Sequence, residues 1–172
     1  MLTALVLLPV VFIPMLVEAR VAAKNERAQR ARGGVEPKDD VYAIMQFAYP
    51  AVFLAMIGEG WWRSRNPGAS FVPSISFAAG VMVFVLAKAL KSWAIVSLGE
   101  AWTFRVIVRP GVPLVASGPY RWLRHPNYVA VVGELVSVAL MSGARVSGPA
   151  GTVLFGALML RRISVEERAL NL

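Results

Sequence analysis

The sequence contains no cysteine and a single histidine among its 172 residues. The absence of thiols excludes disulfide bonds, thiolate metal sites, a cysteine nucleophile and S-acylation. One histidine is too few for a histidine-bound metal, and neither a glycine-rich dinucleotide fingerprint nor a phosphate-binding loop occurs. We therefore expect no metal, and any catalysis must use another set of groups.

Charged residues are also scarce. Asp, Glu, Lys and Arg make up 16% of the chain, while apolar residues make up 57% and the mean hydropathy is +0.59. An ordinary soluble domain has about 25% charged residues, and a soluble chain of this length could not bury so much apolar surface. The net charge is +8, but the cations lie between hydrophobic runs. This pattern indicates loops facing an anionic membrane surface, and we expect no nucleic-acid partner.

Five apolar runs predict an all-α integral membrane protein with about five transmembrane helices in one domain (residues 1–172). A bilayer core of about 30 Å needs around 20 helical residues, so the first and fifth runs must include interfacial residues. Gly143, Gly148 and Pro149 also permit a re-entrant turn in place of a helical hairpin of the fourth and fifth runs. The predicted spans are residues 2–17, 41–62, 70–90, 126–143 and 146–160, and the third span is also compatible with an extension to residue 98.

The distribution of Lys and Arg predicts the orientation. With five spans, all of these residues except Arg63, Arg65 and Arg145 fall on one side of the membrane. Such an excess marks the cytoplasmic side. The N-terminus is then outside, and the polar segment of residues 92–125 and the tail of residues 161–172 are cytoplasmic.

This polar segment is the expected place for a functional site, because a water-soluble cofactor enters from the aqueous side. Its Trp93, Trp102 and Trp122 suit the membrane interface, where an indole ring is half buried. Residues 102–108 alternate weakly in hydrophobicity, which fits a short extended piece.

The most distinctive motif covers residues 118–128, Gly-Pro-Tyr-Arg-Trp-Leu-Arg-His-Pro-Asn-Tyr. Pro126 suits the first residue of a helix, since its missing N–H would be unpaired there. Arg124 and His125 then precede a helix N-terminus, where free N–H groups and the helix dipole favour an anion. The alternative is an interfacial stop in which the arginines anchor to lipid phosphate and His125 is an incidental cap.

The tail places Arg161, Arg162, Glu166 and Glu167 on consecutive helical turns. Arg162 and Glu166 are four residues apart, so pairing on a solvated helix is one explanation. The alternative is that the glutamates bind a cationic or hydroxyl-rich ligand.

Glu134 lies about two turns inside the fourth span. An ionisable group at that depth is costly and usually faces a partner or a cavity. We therefore treat Glu134 as a candidate site residue, with Lys88 or Lys91 as a structural partner. Glu59, near the outer end of the second span, is expected to be interfacial.

These features together resemble the isoprenylcysteine carboxyl methyltransferase family. The similarity covers residues 91–170 closely and the first two spans in hydropathy only. The short chain is most similar to the bacterial branch, whose members can methylate hydroxyl groups of alkylpyrone and phenolic lipids. The residues that carry the resemblance are Leu98-Gly99, Trp102-Thr103-Phe104-Arg105-Val106-Ile107, the 118–128 motif, and Arg162 with Glu166-Glu167-Arg168-Ala169-Leu170.

The resemblance implies an S-adenosylmethionine cofactor held at the cytoplasmic face by the motif and the tail, in a bacterial inner membrane. Together with Arg124 of the anion site, the cofactor-binding candidates are Gly118, Pro119, Tyr120, Arg124, His125, Tyr128 and Glu166. The catalytic candidates are His125, Arg162 and Glu167, with Glu134 near the expected entry of a lipophilic acceptor.

Several alternatives stay open from the sequence. The acceptor oxygen is either a prenylcysteine-type carboxylate, which needs no base, or a hydroxyl, for which His125 or a glutamate is the candidate base. The Arg-His-Pro-Asn-Tyr run also resembles NADPH-dependent membrane sterol and steroid reductases. A third interpretation is a non-catalytic membrane scaffold that binds no cofactor.

Overall fold

The computed structural model of the protein describes residues 2–66 and 72–170. Within these ranges the chain forms five α-helices, and the only β-pairing is a bridge between Val35 and Val108. The all-α prediction is confirmed, and the weakly alternating residues 102–108 make this one bridge and no strand. The helices are α1 (Leu2–Ala31), α2 (Tyr42–Arg65), α3 (Ser74–Leu98), α4 (Pro126–Ser142) and α5 (Ser147–Leu170).

Three of the helices, α1, α2 and α3, are long and apolar enough to cross a membrane. The fourth, α4, is apolar but has only 17 residues. These helices confirm an integral membrane protein. The count of five crossings and the orientation stay predictions, because only the first part of α5 is apolar.

Two helices extend well beyond their predicted spans. α1 continues through the charged stretch after residue 17, and α5 continues through the tail arginines and glutamates. At 1.5 Å per residue the 30 residues of α1 extend for about 45 Å, which exceeds the thickness of the bilayer core. The predicted third span begins at residue 70, which lies outside the described residues, and α3 itself begins at Ser74 and reaches Leu98.

α3 and α4 make the most extensive helix pair. Gly80 on α3 permits their close approach, since a Cβ at this position would lie 2.9 Å from the carbonyl oxygen of Ser137. Small residues bring membrane helices together in this way. The apolar core lies between α2, α4 and α5, with Phe53 and Leu135 among its fully buried side chains.

The projecting part of α1 holds the polar segment that connects α3 to α4. The Asn25 side-chain amide donates to the carbonyl oxygen of Trp102 at 2.8 Å. The Glu26 carboxylate accepts the backbone N–H groups of Phe104 and Arg105 at 3.2 and 3.1 Å. These bonds place a stretch without regular structure against a helix, and so fix one wall of the site.

The three tryptophans of the polar segment lie in different surroundings. Trp122 is 71% exposed and Trp93 is 47% exposed, and their ring centroids are 5.9 Å apart, as suits a membrane interface. Trp102 is only 3% exposed, so the prediction that it is interfacial was wrong. Its ring packs edge-on against Phe104, and its indole N–H donates to Asn127 at 3.4 Å, which satisfies its polar atom inside the protein.

Candidate active site

A cavity of about 620 Å³ lies where α1, α2, α4 and α5 meet the polar segment. This volume is typical of pockets that hold a small molecule. One group of lining residues is polar or charged: Arg124, His125, Tyr128, Arg162 and Glu166. Another group is apolar and comes from α1, α2 and α5: Phe12, Met15, Leu16, Met45, Phe155 and Met159. The cavity can therefore accept a ligand that is polar at one end and lipophilic at the other.

His125 directly precedes the first residue of α4, and its side chain contacts the C-terminal part of α5. Its Nε2 lies 3.1 Å from Glu167 Oε1, and its Nδ1 lies 3.9 Å from Glu166 Oε2. Since an ionised carboxylate can only accept, the Nε2–H must donate to Glu167. In the neutral imidazole the lone pair is then on Nδ1, so that atom is able to accept a proton.

Tyr128 lies between Glu166 and Arg162 in a directed chain of hydrogen bonds. Arg162 Nε donates to the Tyr128 hydroxyl oxygen at 2.8 Å, and the hydroxyl donates to Glu166 Oε2 at 2.9 Å. Because the arginine can only donate, the hydroxyl proton is directed toward Glu166. The simple Arg162–Glu166 pairing considered from the sequence is therefore replaced by a bridge through Tyr128.

Residues 118–120 form part of a short 3₁₀ helix (Gly118–Arg121) that packs on α3. Gly118 has φ +59°, and a Cβ there would lie 2.0 Å from Ser97 Oγ, so only glycine fits. Tyr120 lines the cavity, and burial together with the nearby Glu166 raises the pKa of its hydroxyl above the ordinary value. Gly118 and Pro119 are not among the lining residues, and they position Tyr120.

Ion pairs hold the part of the cavity wall that contains Arg105. Arg105 Nη1 donates to Glu36 Oε1 at 2.7 Å, and Arg30 also binds this carboxylate. Burial opposes ionisation of Glu36, but hydrogen bonds from the two arginines outweigh it and lower the pKa of Glu36 below its ordinary value. Hydrogen bonding to Glu36 likewise raises the pKa of Arg105.

Glu134, the fourth catalytic candidate, is buried and is not among the residues that line the cavity. Its carboxylate lies 2.8 Å from Lys88 Nζ and 3.2 Å from Lys91 Nζ, and it also accepts a hydrogen bond from Tyr49. Both lysines pair in addition with Glu18 on α1. Lys91 and Tyr49 do line the cavity, so Glu134 contributes to the site by holding these two side chains in place.

Glu59 has a defined role that the sequence did not reveal. Its carboxylate accepts the backbone N–H groups of Arg145 at 2.9 Å and Ser147 at 2.7 Å, as well as the Ser147 hydroxyl. These groups lie at the start of α5, whose first N–H groups lack intrahelical partners. Glu59 therefore caps α5 from the neighbouring helix.

The structure brings most of the predicted site residues together. Tyr120, Arg124, His125, Tyr128, Arg162 and Glu166 line one cavity, and Glu167 contacts it through His125. Sequence reasoning missed Asp40, whose carboxylate lies 3.4 Å from Arg162 Nη1. The available signal was an acidic pair, Asp39-Asp40, directly before a membrane span.

Comparison with known proteins agrees with the similarity found in the motifs. Residues 80–172 match the model of the isoprenylcysteine carboxyl methyltransferase (ICMT) family. The chain is 29% identical over 166 residues to the uncharacterized protein YpbQ of Bacillus subtilis (strain 168), covering 96% of this chain and 95% of that protein. It is 23% identical over 152 residues to an uncharacterized protein of Haemophilus influenzae, covering 88% and 85% of the two chains. No solved structure matches it at a significant level.

Proposed function

Because the chain belongs to the isoprenylcysteine carboxyl methyltransferase family of membrane methyltransferases, we propose that it uses S-adenosylmethionine to methylate an oxygen of a lipophilic acceptor. The observation that carries this proposal is the cavity in which His125, Tyr128 and Glu166 lie together with apolar side chains of the membrane helices. A polar cofactor and an alkyl chain would each find a matching part of the same cavity.

The polar residues fit the chemical groups of the cofactor, which carries a carboxylate, an amine, a ribose diol and a sulfonium. Glu166 offers carboxylate oxygens to the amine or the diol, and the exposed guanidinium of Arg124 offers a charge partner to the carboxylate. The rings of Tyr120 and Tyr128 are suited to a cation, since aromatic faces attract positive charge. When bound, the cofactor supplies an electrophilic methyl group.

The protein's own contribution is positioning, exclusion of water and, for a hydroxyl acceptor, removal of a proton. The apolar side chains of α1, α2 and α5 keep water from the reacting atoms and orient the acceptor. His125 Nδ1 accepts the proton of a hydroxyl acceptor, while Glu167 holds the imidazole in the required tautomer. A prenylcysteine-type carboxylate would need no such base, and both acceptor classes remain within the proposal.

We place the site on the cytoplasmic side of a bacterial inner membrane. The excess of Lys and Arg on the side that contains the polar segment supports the orientation. Similarity to proteins of two bacteria supports the membrane.

The test is cofactor binding by the detergent-purified protein. We expect saturable binding of S-adenosylmethionine in wild type and at least a tenfold higher Kd in Glu166→Gln. The control is Glu100→Gln, since Glu100 is an exposed acid outside the cavity. NADPH titrated separately should not bind. Binding of NADPH alone would point to a reductase, and binding of neither would contradict the catalytic proposal.

A further inference from the structure

Two adjacent acidic residues, Asp39 and Asp40, precede α2, and their side chains differ in exposure and in binding partners. The side chain of Asp39 is 56% exposed and pairs with exposed Arg168 at 2.5 Å. The side chain of Asp40 is 3% exposed and faces Arg162, whose own side chain is 8% exposed. A carboxylate is rarely buried unless its oxygens are paired. The hydrogen-bond partners of Asp40 therefore indicate its structural role.

The two oxygens of Asp40 accept three hydrogen bonds from three different parts of the cavity wall. Oδ1 accepts the backbone N–H of Tyr42 at 3.0 Å and a guanidinium N–H of Arg162 at 3.4 Å. Oδ2 accepts the backbone N–H of Val106 at 2.9 Å. These partners belong to the start of α2, to α5 and to the polar segment, and Asp40 joins all three.

The contact with Arg162 continues into the site. Arg162 needs a counter-charge because a buried guanidinium without one is strongly disfavoured. Held by Asp40, its Nε donates to the Tyr128 hydroxyl, which donates to Glu166. Asp40 lies 122 residues from Arg162 in the sequence and precedes the residues that match the family model.

We propose that Asp40 is a positioning residue for the cofactor site: through Arg162 and Tyr128 it holds the Glu166 carboxylate in its binding orientation. The proposal rests on the proposed function, because Glu166 is the group assigned to the cofactor. Asp40 itself does not line the cavity, and it acts through its three partners.

The experiment compares Asp40→Asn with the matched variant Asp39→Asn, each removing one negative charge at neighbouring positions. The first readout is the Kd for S-adenosylmethionine, which should rise at least tenfold in Asp40→Asn and less than twofold in Asp39→Asn. The second is the ¹⁵N spectrum of the imidazole of His125, the only histidine of the chain. Its resonances should shift in Asp40→Asn alone, because Glu166 lies 3.9 Å from His125 Nδ1.

The two readouts separate failure of this inference from failure of the proposed function. A folded Asp40→Asn protein with wild-type Kd and a wild-type imidazole spectrum would overturn the positioning role and leave the proposed function intact. If wild type binds no S-adenosylmethionine, the proposed function fails and the imidazole spectrum alone decides the role of Asp40. Should Asp40→Asn not fold, Asp40→Glu keeps the charge while displacing it, and an unchanged Kd and spectrum in that variant would also overturn the inference.

Discussion

At the scale of single residues, His125 offers the sharpest distinction between the two acceptor classes. If the acceptor is a hydroxyl, His125→Ala should reduce methyl transfer by at least a hundredfold, because a positioned base contributes about 10²–10⁴-fold. Cofactor Kd should change far less, since Glu166 and Tyr128 keep their hydrogen bond. The measurement is transfer of labelled methyl from S-adenosylmethionine to a lipid extract, together with binding. An unchanged rate per bound cofactor would remove His125 from the role of base.

The ion pairs of Glu36 predict that the stability of the protein depends on pH. Its pKa is lower in the folded protein than the ordinary value of 4.5, so its ion pairs stabilise the fold above that pH. This contribution is lost as the pH falls through the folded pKa. We expect Glu36→Gln to lower stability at pH 7 by about 1 kcal/mol, and the difference from wild type to disappear at strongly acidic pH.

Thermal unfolding in detergent at pH 7 and at acidic pH measures this effect. Glu100→Gln is the control, because Glu100 pairs with Arg32 in an exposed position where an ion pair contributes little. A stability loss in Glu36→Gln that is the same at both pH values would show that charge is not the cause.

The residues of the candidate site divide into those that belong to a recognisable sequence motif and those that do not. His125, Tyr128, Arg162 and Glu166 occur in two short motifs, so local spacing was enough to select them. Asp40 is adjacent to no motif, and its relation to Arg162 exists only once α2 and α5 pack together. The acidic pair Asp39-Asp40 can be seen in the sequence, but no periodicity or charge pattern identifies Arg162 as the partner of Asp40.

At the scale of helices, the sequence predicted where apolar runs lie but underestimated how far α1 and α5 continue. Hydropathy detects the part of a helix that faces lipid. The extensions are stabilised by polar contacts instead, such as Asn25 with Trp102 on α1 and Arg162 with Tyr128 on α5. Their helical boundaries therefore depend on partners that hydropathy cannot detect.

The start of α5 provides a prediction at this scale. Glu59→Ala removes the acceptor for N–H groups at Arg145 and Ser147, and losing a helix cap costs about 0.5–2 kcal/mol. We expect a fall of several degrees in Tm, and a smaller fall in Glu59→Gln, which keeps one acceptor oxygen. Cofactor Kd should be unchanged, because the α2 residues that line the cavity, from Tyr42 to Pro50, all lie in the first half of the helix, whereas Glu59 lies in the second half.

Ser64→Ala is the control for this prediction, since Ser64 is exposed on the same helix and its hydroxyl donates to the carbonyl oxygen of Trp61 in that helix. If Glu59→Ala melts like wild type, the N–H groups at the start of α5 must find other acceptors, and Glu59 is then interfacial as the sequence suggested.

At the scale of the whole molecule, a cluster of four charged side chains joins three helices, with Lys91 and Glu134 buried and Lys88 and Glu18 partly exposed. Glu18 of α1 and Glu134 of α4 pair with Lys88 and Lys91 of α3, at distances from 2.7 to 3.2 Å. Two carboxylates and two ammonium groups leave the cluster without net charge. Neutrality is needed because an unpaired charge at membrane depth is costly. The ion pairs of the cluster also fix the position of α1 relative to α3 and α4.

This charge balance predicts that a second substitution restores the stability that the first one removes. Glu134→Leu leaves one ammonium group unpaired and should destabilise the protein by about 3–5 kcal/mol, whereas Lys88→Met/Glu134→Leu restores neutrality and should recover most of that loss. Thermal unfolding in detergent measures both, with the double variant serving as the control for the single one. If the double variant melts as low as the single one, packing around Glu134 matters more than its charge. If the double variant regains wild-type Tm and cofactor Kd but transfers no methyl group, the pair of Lys88 and Glu134 contributes to methyl transfer as well as to stability, by way of the neighbouring Lys91 and Tyr49 that line the cavity.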